Sequence, residues 1–144
     1  MIASDMAHSR PDIDFEALFA VAARVQALAY APYSRFRVGA AILDDMGAVH
    51  AGCNVENAAY PSGSCAEQGA ISAMIAGGGR RIVAILVMGE GEALVTPCGA
   101  CRQRIREFAS PDMPVAIAGP DGIRQRFSLA ELLPASFGPD NLRR

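Results

Sequence analysis

The chain has 144 residues, 51% hydrophobic and 19% charged, a balance that excludes a disordered chain, which lacks the apolar surface to offset its ordering entropy. A net charge of −2 makes no electrostatic case for nucleic acid or a membrane surface as partner. All 13 basic side chains are arginines, so Schiff-base catalysis by a lysine is excluded.

A single domain over residues 1–144 fits this length. It can bury roughly two-thirds of its unfolded surface and needs no disulfide scaffold. Residues 1–11 are polar and lack the apolar stretch of a signal peptide, and read as a mobile tail. No segment approaches the roughly 18 apolar residues of a membrane span. Four cysteines without an export signal point to a reducing compartment, the cytoplasm, where paired cysteines more often mean metal or catalysis than disulfides.

Residues 12–30 read as a helix with Phe15, Leu18, Phe19, Ala22, Val25 and Ala29 on one face, stopped by Pro32. Phe36, Val38, Ala40 and Ile42 alternate as a strand, Asp44-Asp45-Met46-Gly47 reads as a turn, and residues 48–53 return as a second strand. Residues 65–76 are Ala-rich and helical, closed by Gly77-Gly78-Gly79. The apolar run 82–88 has the pattern of a strand buried on both faces. Thr96 as N-cap and Pro97 at the first helical position open a helix running to about Ala109. Residues 115–118 form another buried strand, Asp121-Gly122 a turn, and Ser128 with Glu131 a capping box for a short last helix. A hairpin followed by strand–helix alternation predicts an α/β fold, one mixed sheet with helices on both faces.

Cys98-Gly99-Ala100-Cys101 is a CxxC, a spacing shared by zinc sites and redox pairs. Cys65 favours zinc, because it opens the preceding helix. Two helix N-termini separated by one buried strand lie side by side, and three thiolates can meet there, stabilised by N–H groups and helix dipoles. Three ligands with an open position describe a catalytic zinc, whereas Cys53 as a fourth ligand would close a structural site in a non-enzymatic module. Cys53 ends a strand, which favours a buried free thiol. Glu67 reads either as the last residue of a capping box, Ser64-Cys65-Ala66-Glu67, or as a general acid/base beside the metal. The pattern of a ligand, one residue, Glu, and later Pro-Cys-x-x-Cys is that of zinc deaminases. Arg102, Arg104 and Arg106 share one helix and read as a solvated or interface face.

At these residues the chain resembles the short, homotetrameric cytidine deaminases. The resemblance extends over residues 12–138 and includes the segments 31–41 and 52–60, Cys101-Arg102-Gln103, and Glu131-Leu132-Leu133-Pro134 followed by Phe137. It implies a three-layer α/β/α sandwich around a mixed, roughly five-stranded sheet. It implies Cys65, Cys98 and Cys101 as ligands of one Zn2+ per chain, Glu67 as proton shuttle, and Cys53 as a non-ligand. It places Phe36, Asn54, Val55, Glu56, Ala66 and Phe137 at the substrate. Asn54 and Glu56 would take hydrogen bonds from the ribose hydroxyls, Phe36 would pack on the pyrimidine, and Phe137 would reach a neighbouring subunit's site in a homotetramer. By periodicity alone Phe36 is an inward strand residue, Phe137 a plug on its own core, and Asn54 and Glu56 turn and surface residues.

The implied activity is hydrolytic deamination of cytidine and 2′-deoxycytidine in pyrimidine salvage. An alternative substrate is another aminated nucleoside or base analogue, as in blasticidin S deaminase. Two features depart from the family pattern. Many three-cysteine relatives place an arginine after the glutamate, where this chain has Gln68; helix N–H groups or Arg102 are expected to make up the missing charge. The segment Pro61-Ser62-Gly63-Ser64 also departs just before the first ligand.

Overall fold

The computed structural model describes residues 12–143; the expected N-terminal tail lies outside them. Helix α1 (Phe15–Gln26) is capped by the Asp14 carboxylate, which accepts from the Ala17 N–H at 3.0 Å. It is followed by the hairpin β1 (Gly39–Asp44) and β2 (Val49–Cys53). Then come α2 (Ala66–Ala76), β3 (Ile82–Met88), α3 (Gly99–Arg106), β4 (Pro114–Gly119), β5 (Gly122–Ser128) and α4 (Leu129–Leu132). The sheet order is β2-β1-β3-β4-β5, with β3 and β4 parallel and the other pairs antiparallel. β3 and the capping box at Ser128 and Glu131 lie where the sequence predicts.

Alternation along the central strands divides the core in two. Ala40, Ile42, Ile85, Val87, Val115 and Ile117 face α2, α3 and α4. Ala41, Leu43, Ala84, Leu86, Ala116 and Ala118 face α1 through Phe15, Leu18 and Ala22. Both faces of the sheet are covered, giving the expected three layers.

The hairpin turn is built by Asp44. Its buried carboxylate accepts from the N–H groups of Met46 (2.8 Å) and Ala48 (2.9 Å) and pairs with His50 Nε2 at 2.7 Å. Gly47 supplies the positive φ, +83°, that the turn requires.

Four expectations need correction. α3 does not begin at Thr96-Pro97: its N-cap is Cys98, whose carbonyl accepts the Arg102 N–H at 2.9 Å. Thr96 Oγ1 and the Pro97 carbonyl instead take hydrogen bonds from the Arg102 side chain at 3.0 and 2.7 Å, so the expected cap is occupied from within the helix. The N-cap of α2 is Cys65, not Ser64, so the capping box with Glu67 does not form. The main chain of Ser64 pairs with Val55. Phe36 precedes β1 rather than lying on it, and β5 is a strand that the residues alone did not announce.

Candidate active site

Cys65 and Cys98 each sit at a helix N-cap, and Cys101 lies in the first turn of α3. The strand β3 between the two helices brings these ends together, and the three Sγ atoms lie within 4.8 Å of one another. Cys101 is fully buried, Cys65 half-buried and Cys98 exposed, so the group is anchored in the core and open on one side. Cys53 is free and half-buried on β2 opposite Gly39, outside this group. The arrangement therefore offers three thiols rather than four.

These residues fit a zinc ion. The donors are soft, converge on one point, and leave one side unprotected by protein, as an open tetrahedral site requires. Burial pushes the Cys65 and Cys101 thiols up. Cys98, despite its partial burial, is held below the usual thiol range by the Cys101 N–H and the neighbouring thiols. A metal must displace the protons of these groups on binding.

Glu67, in the first turn of α2, is 4% exposed. Burial lifts its carboxyl above the ordinary glutamate range, against the pull of its own N–H, the charge of Arg104 and the Cys101 thiol. It lines a cavity of about 210 Å³ together with Val38, Asn54, Cys65, Ala66, Val87, Val95, Thr96 and Cys98. A wider cleft of about 470 Å³ shares Asn54 and Cys65 with this cavity and continues outward past Val55, Glu56, Tyr33 and Tyr60. The two hollows meet at Asn54 and Cys65.

The loop residues are held by specific hydrogen bonds. Asn54 Oδ1 accepts the Val38 N–H and its Nδ2 donates to the Phe36 carbonyl, both at 2.8 Å. A main-chain donor on one side and an acceptor on the other fix the orientation of the amide. Glu56 accepts from the Ser34 hydroxyl and from the N–H groups of Tyr33 (3.0 Å) and Ser34 (3.1 Å). The Ser34 hydroxyl, followed by these N–H groups, holds its carboxylate below the usual range. Both side chains thus clasp the 33–38 segment to the floor of the cleft. The Tyr33 and Tyr60 rings meet edge-on at 6.0 Å and form its outer wall.

Of the residues expected at the substrate, Asn54, Val55, Glu56 and Ala66 line these hollows. Phe36 is 38% exposed and is not among the residues lining either hollow; its main chain is bonded to Asn54 and Ser34 at the edge of the site. Phe137 is 57% exposed, and its carbonyl accepts from Gln103 Nε2 at 2.9 Å. It borders a separate hollow with Gln103, Glu107 and Pro139, away from the thiols of its own chain, and so is no plug on its own core.

The three arginines of α3 do three different things. Arg102, expected to compensate the zinc charge, is spent on the carbonyls of Pro97 and Leu132 (both 2.7 Å) and on Thr96 Oγ1. Arg106 holds Ser136 Oγ at 2.9 Å. Arg104 donates to Cys101 Sγ at 3.5 Å. Its role was missed in the sequence, although the spacing carried a signal: three residues after a buried ligand places it on the same helix face. Tyr33 and Tyr60 carry no such spacing signal in the sequence, and only the fold brings them together at the cleft.

The family model for the cytidine and deoxycytidylate deaminase zinc-binding region matches residues 13–117. A cytidine deaminase of Sporosarcina psychrophila is 41% identical over 130 residues, covering 90% of this chain and 96% of that one. One from Mycobacterium tuberculosis is 42% identical over 134 residues, covering 93% and 97%. The crystal structure of cytidine deaminase from Burkholderia pseudomallei superposes with a TM-score of 0.82 at 41% identity, covering 87% of this chain and all of that one. The chain belongs to the cytidine deaminase family.

Proposed function

We propose that the protein is a zinc-dependent hydrolase that converts cytidine and 2′-deoxycytidine to uridine and 2′-deoxyuridine with release of ammonia, in pyrimidine salvage. One observation carries this reading: a buried carboxyl, Glu67, shares a cavity with Cys65 and Cys98, two of three convergent thiols. Among the described residues the other buried acid is Asp44, which is fully engaged in its hairpin turn. Glu67 is the acid left for chemistry.

Cys65, Cys98 and Cys101 hold the zinc, one ion per chain, and the ion when bound supplies Lewis-acid activation of the hydrolytic water. Glu67 takes the proton of that water and gives it to ring N3, which makes C4 electrophilic. Water oxygen bonds to C4, and the second water proton leaves through Glu67 to the exocyclic amine. The C4–N bond then breaks and ammonia departs, so that cytidine and water become uridine and ammonia. Burial suits Glu67 to this task, because a raised carboxyl pKa lies nearer the operating pH and moves protons in both directions. Asn54 and Glu56 receive the ribose hydroxyls in the outer cleft, with Val55 on its wall and Ala66 on the wall of the inner cavity. Their bonds to the 33–38 segment hold the nucleoside end of the site before substrate arrives.

The protein works as a cytoplasmic single-domain homotetramer in this reading, with Phe36 on the pyrimidine and Phe137 entering a neighbouring subunit's site. The exposure of Phe137 outside its own cleft supports that role, as do the exposed Leu28, Tyr30 and Tyr60. No helix among the described residues is long and apolar enough to cross a membrane. The test is Glu67→Gln assayed for zinc and for cytidine turnover. Zinc is expected to stay at one per chain while kcat falls at least about 100-fold; full activity in this variant refutes the assignment.

A further inference from the structure

The three-thiol group carries more negative charge than a zinc ion offsets. Three thiolates and one dication sum to minus one, and the Glu67 carboxyl lies in a cavity lined by two of these cysteines. Such excess weakens the ion as a Lewis acid unless a neighbouring group draws density from the sulfurs.

Arg104 is placed to do this. It stands three residues after Cys101 on α3, half-buried, with Nη1 3.5 Å from the Sγ of the one thiol that is fully buried. It makes none of the close arginine–carboxylate ion pairs found among the described residues, and its charge falls on the thiols and on the nearby Glu67 carboxyl. Its neighbours on the helix are spent elsewhere, Arg102 on main-chain carbonyls and Arg106 on Ser136. Arg104 also borders a hollow of about 340 Å³ between α2 and α3 that Gln68 shares, so the uncharged residue after Glu67 and the cation from α3 face the same space.

We propose that Arg104 is a positioning residue of the zinc centre, donating to Cys101 Sγ and offsetting the excess negative charge of the ligand set. The inference rests on the zinc-hydrolase reading above. It acts through Cys101 and touches no substrate. A guanidinium suits the place because its N–H vectors are fixed and its charge persists at every physiological pH.

The test compares wild type, Arg104→Gln and Arg104→Lys as zinc proteins and as cobalt(II)-substituted proteins, reading metal content, the thiolate-to-cobalt charge-transfer band, kcat and KM. In Arg104→Gln the sulfur loses its charged donor. The band moves to longer wavelength, kcat falls about 10- to 100-fold, and KM stays within about twofold, the signature of a group that acts on the transition state. Arg104→Lys, which keeps the charge but not the planar donor, falls between the two. A band and kcat unchanged in Arg104→Gln overturn the proposal, as does a loss carried by KM alone. If Arg104→Gln does not fold, Arg104→Lys is read in the same way, and an unshifted band there overturns it. A wild type that takes up neither zinc nor cobalt on its thiols refutes the zinc reading itself, which separates the two failures.

Discussion

Gly52 on β2 is where the sheet touches the helix that carries Cys65 and Glu67. A Cβ added there would meet Ala70 N at 2.3 Å, Ala66 O at 2.5 Å and Gly69 C at 2.7 Å, all main-chain atoms of α2. Ordinary contact begins at 3.4 Å, so Gly52→Ala requires the first two turns of α2 to lift by about 1 Å. No rotamer change relieves it, because backbone rather than side chain is struck. Overpacking of this kind costs about 1–3 kcal/mol, or about 3–10 °C in Tm for a chain of this size. The larger effect falls on function. Lifting α2 carries Cys65 and Glu67 away from Cys98 and Cys101, and a displacement of about 1 Å at a reacting group costs about 100-fold in rate. Gly99→Ala is the matched control: it lies between two of the thiol ligands, but a Cβ there meets nothing within 4 Å. That variant should keep wild-type zinc content and stability, with a gain of up to about 1 kcal/mol from helix propensity. The assay is thermal melting, zinc content and cytidine turnover for both variants. Wild-type turnover in Gly52→Ala, or loss of zinc in Gly99→Ala, refutes the reasoning.

Asn54→Ala removes two 2.8 Å bonds that clasp residues 36 and 38; at about 1 kcal/mol each it should lower Tm by about 4–8 °C and raise KM for cytidine. Arg102→Ala frees the link between the Pro97 loop and α4 and should lower Tm by about 5–10 °C, with zinc retained under mild conditions by metal analysis. Acid should unlock the hairpin turn. Burial alone would raise the Asp44 carboxyl, but the bonds from His50, Ala48 and Met46 outweigh it and hold the group below its ordinary value of 3.8. A depressed folded value means that its contribution is complete above that pH and is lost as pH falls through the folded value. Melting curves below pH 4 should therefore decline more steeply in wild type than in Asp44→Asn.

The thiol group was legible because its evidence is linear: CxxC spacing, a third cysteine opening a helix, and a glutamate two residues on. β3 was legible because seven apolar residues between glycines leave little choice but a buried strand. β5 was not, because Arg124, Gln125 and Arg126 on an edge strand break the alternation that marks strands, while suiting an edge that must resist further pairing. The start of α3 misled for a tertiary reason. Thr96-Pro97 is a good local cap signal, but Arg102 reaches back to claim both residues, and the chain begins its helix at Cys98. Arg104 was hidden by the same kind of cause. Three arginines at alternate positions look like one charged face until the helix is placed, when one of them turns toward a buried sulfur.

The central claim is that three thiols and Glu67 form one zinc-dependent deaminating centre. It is tested most directly by titrating zinc into metal-free protein and following cytidine conversion to uridine by the ultraviolet change at each addition. The account predicts turnover that rises in proportion to zinc and levels off at one ion per chain. Turnover independent of metal, or a fully loaded protein that leaves cytidine intact, would contradict it.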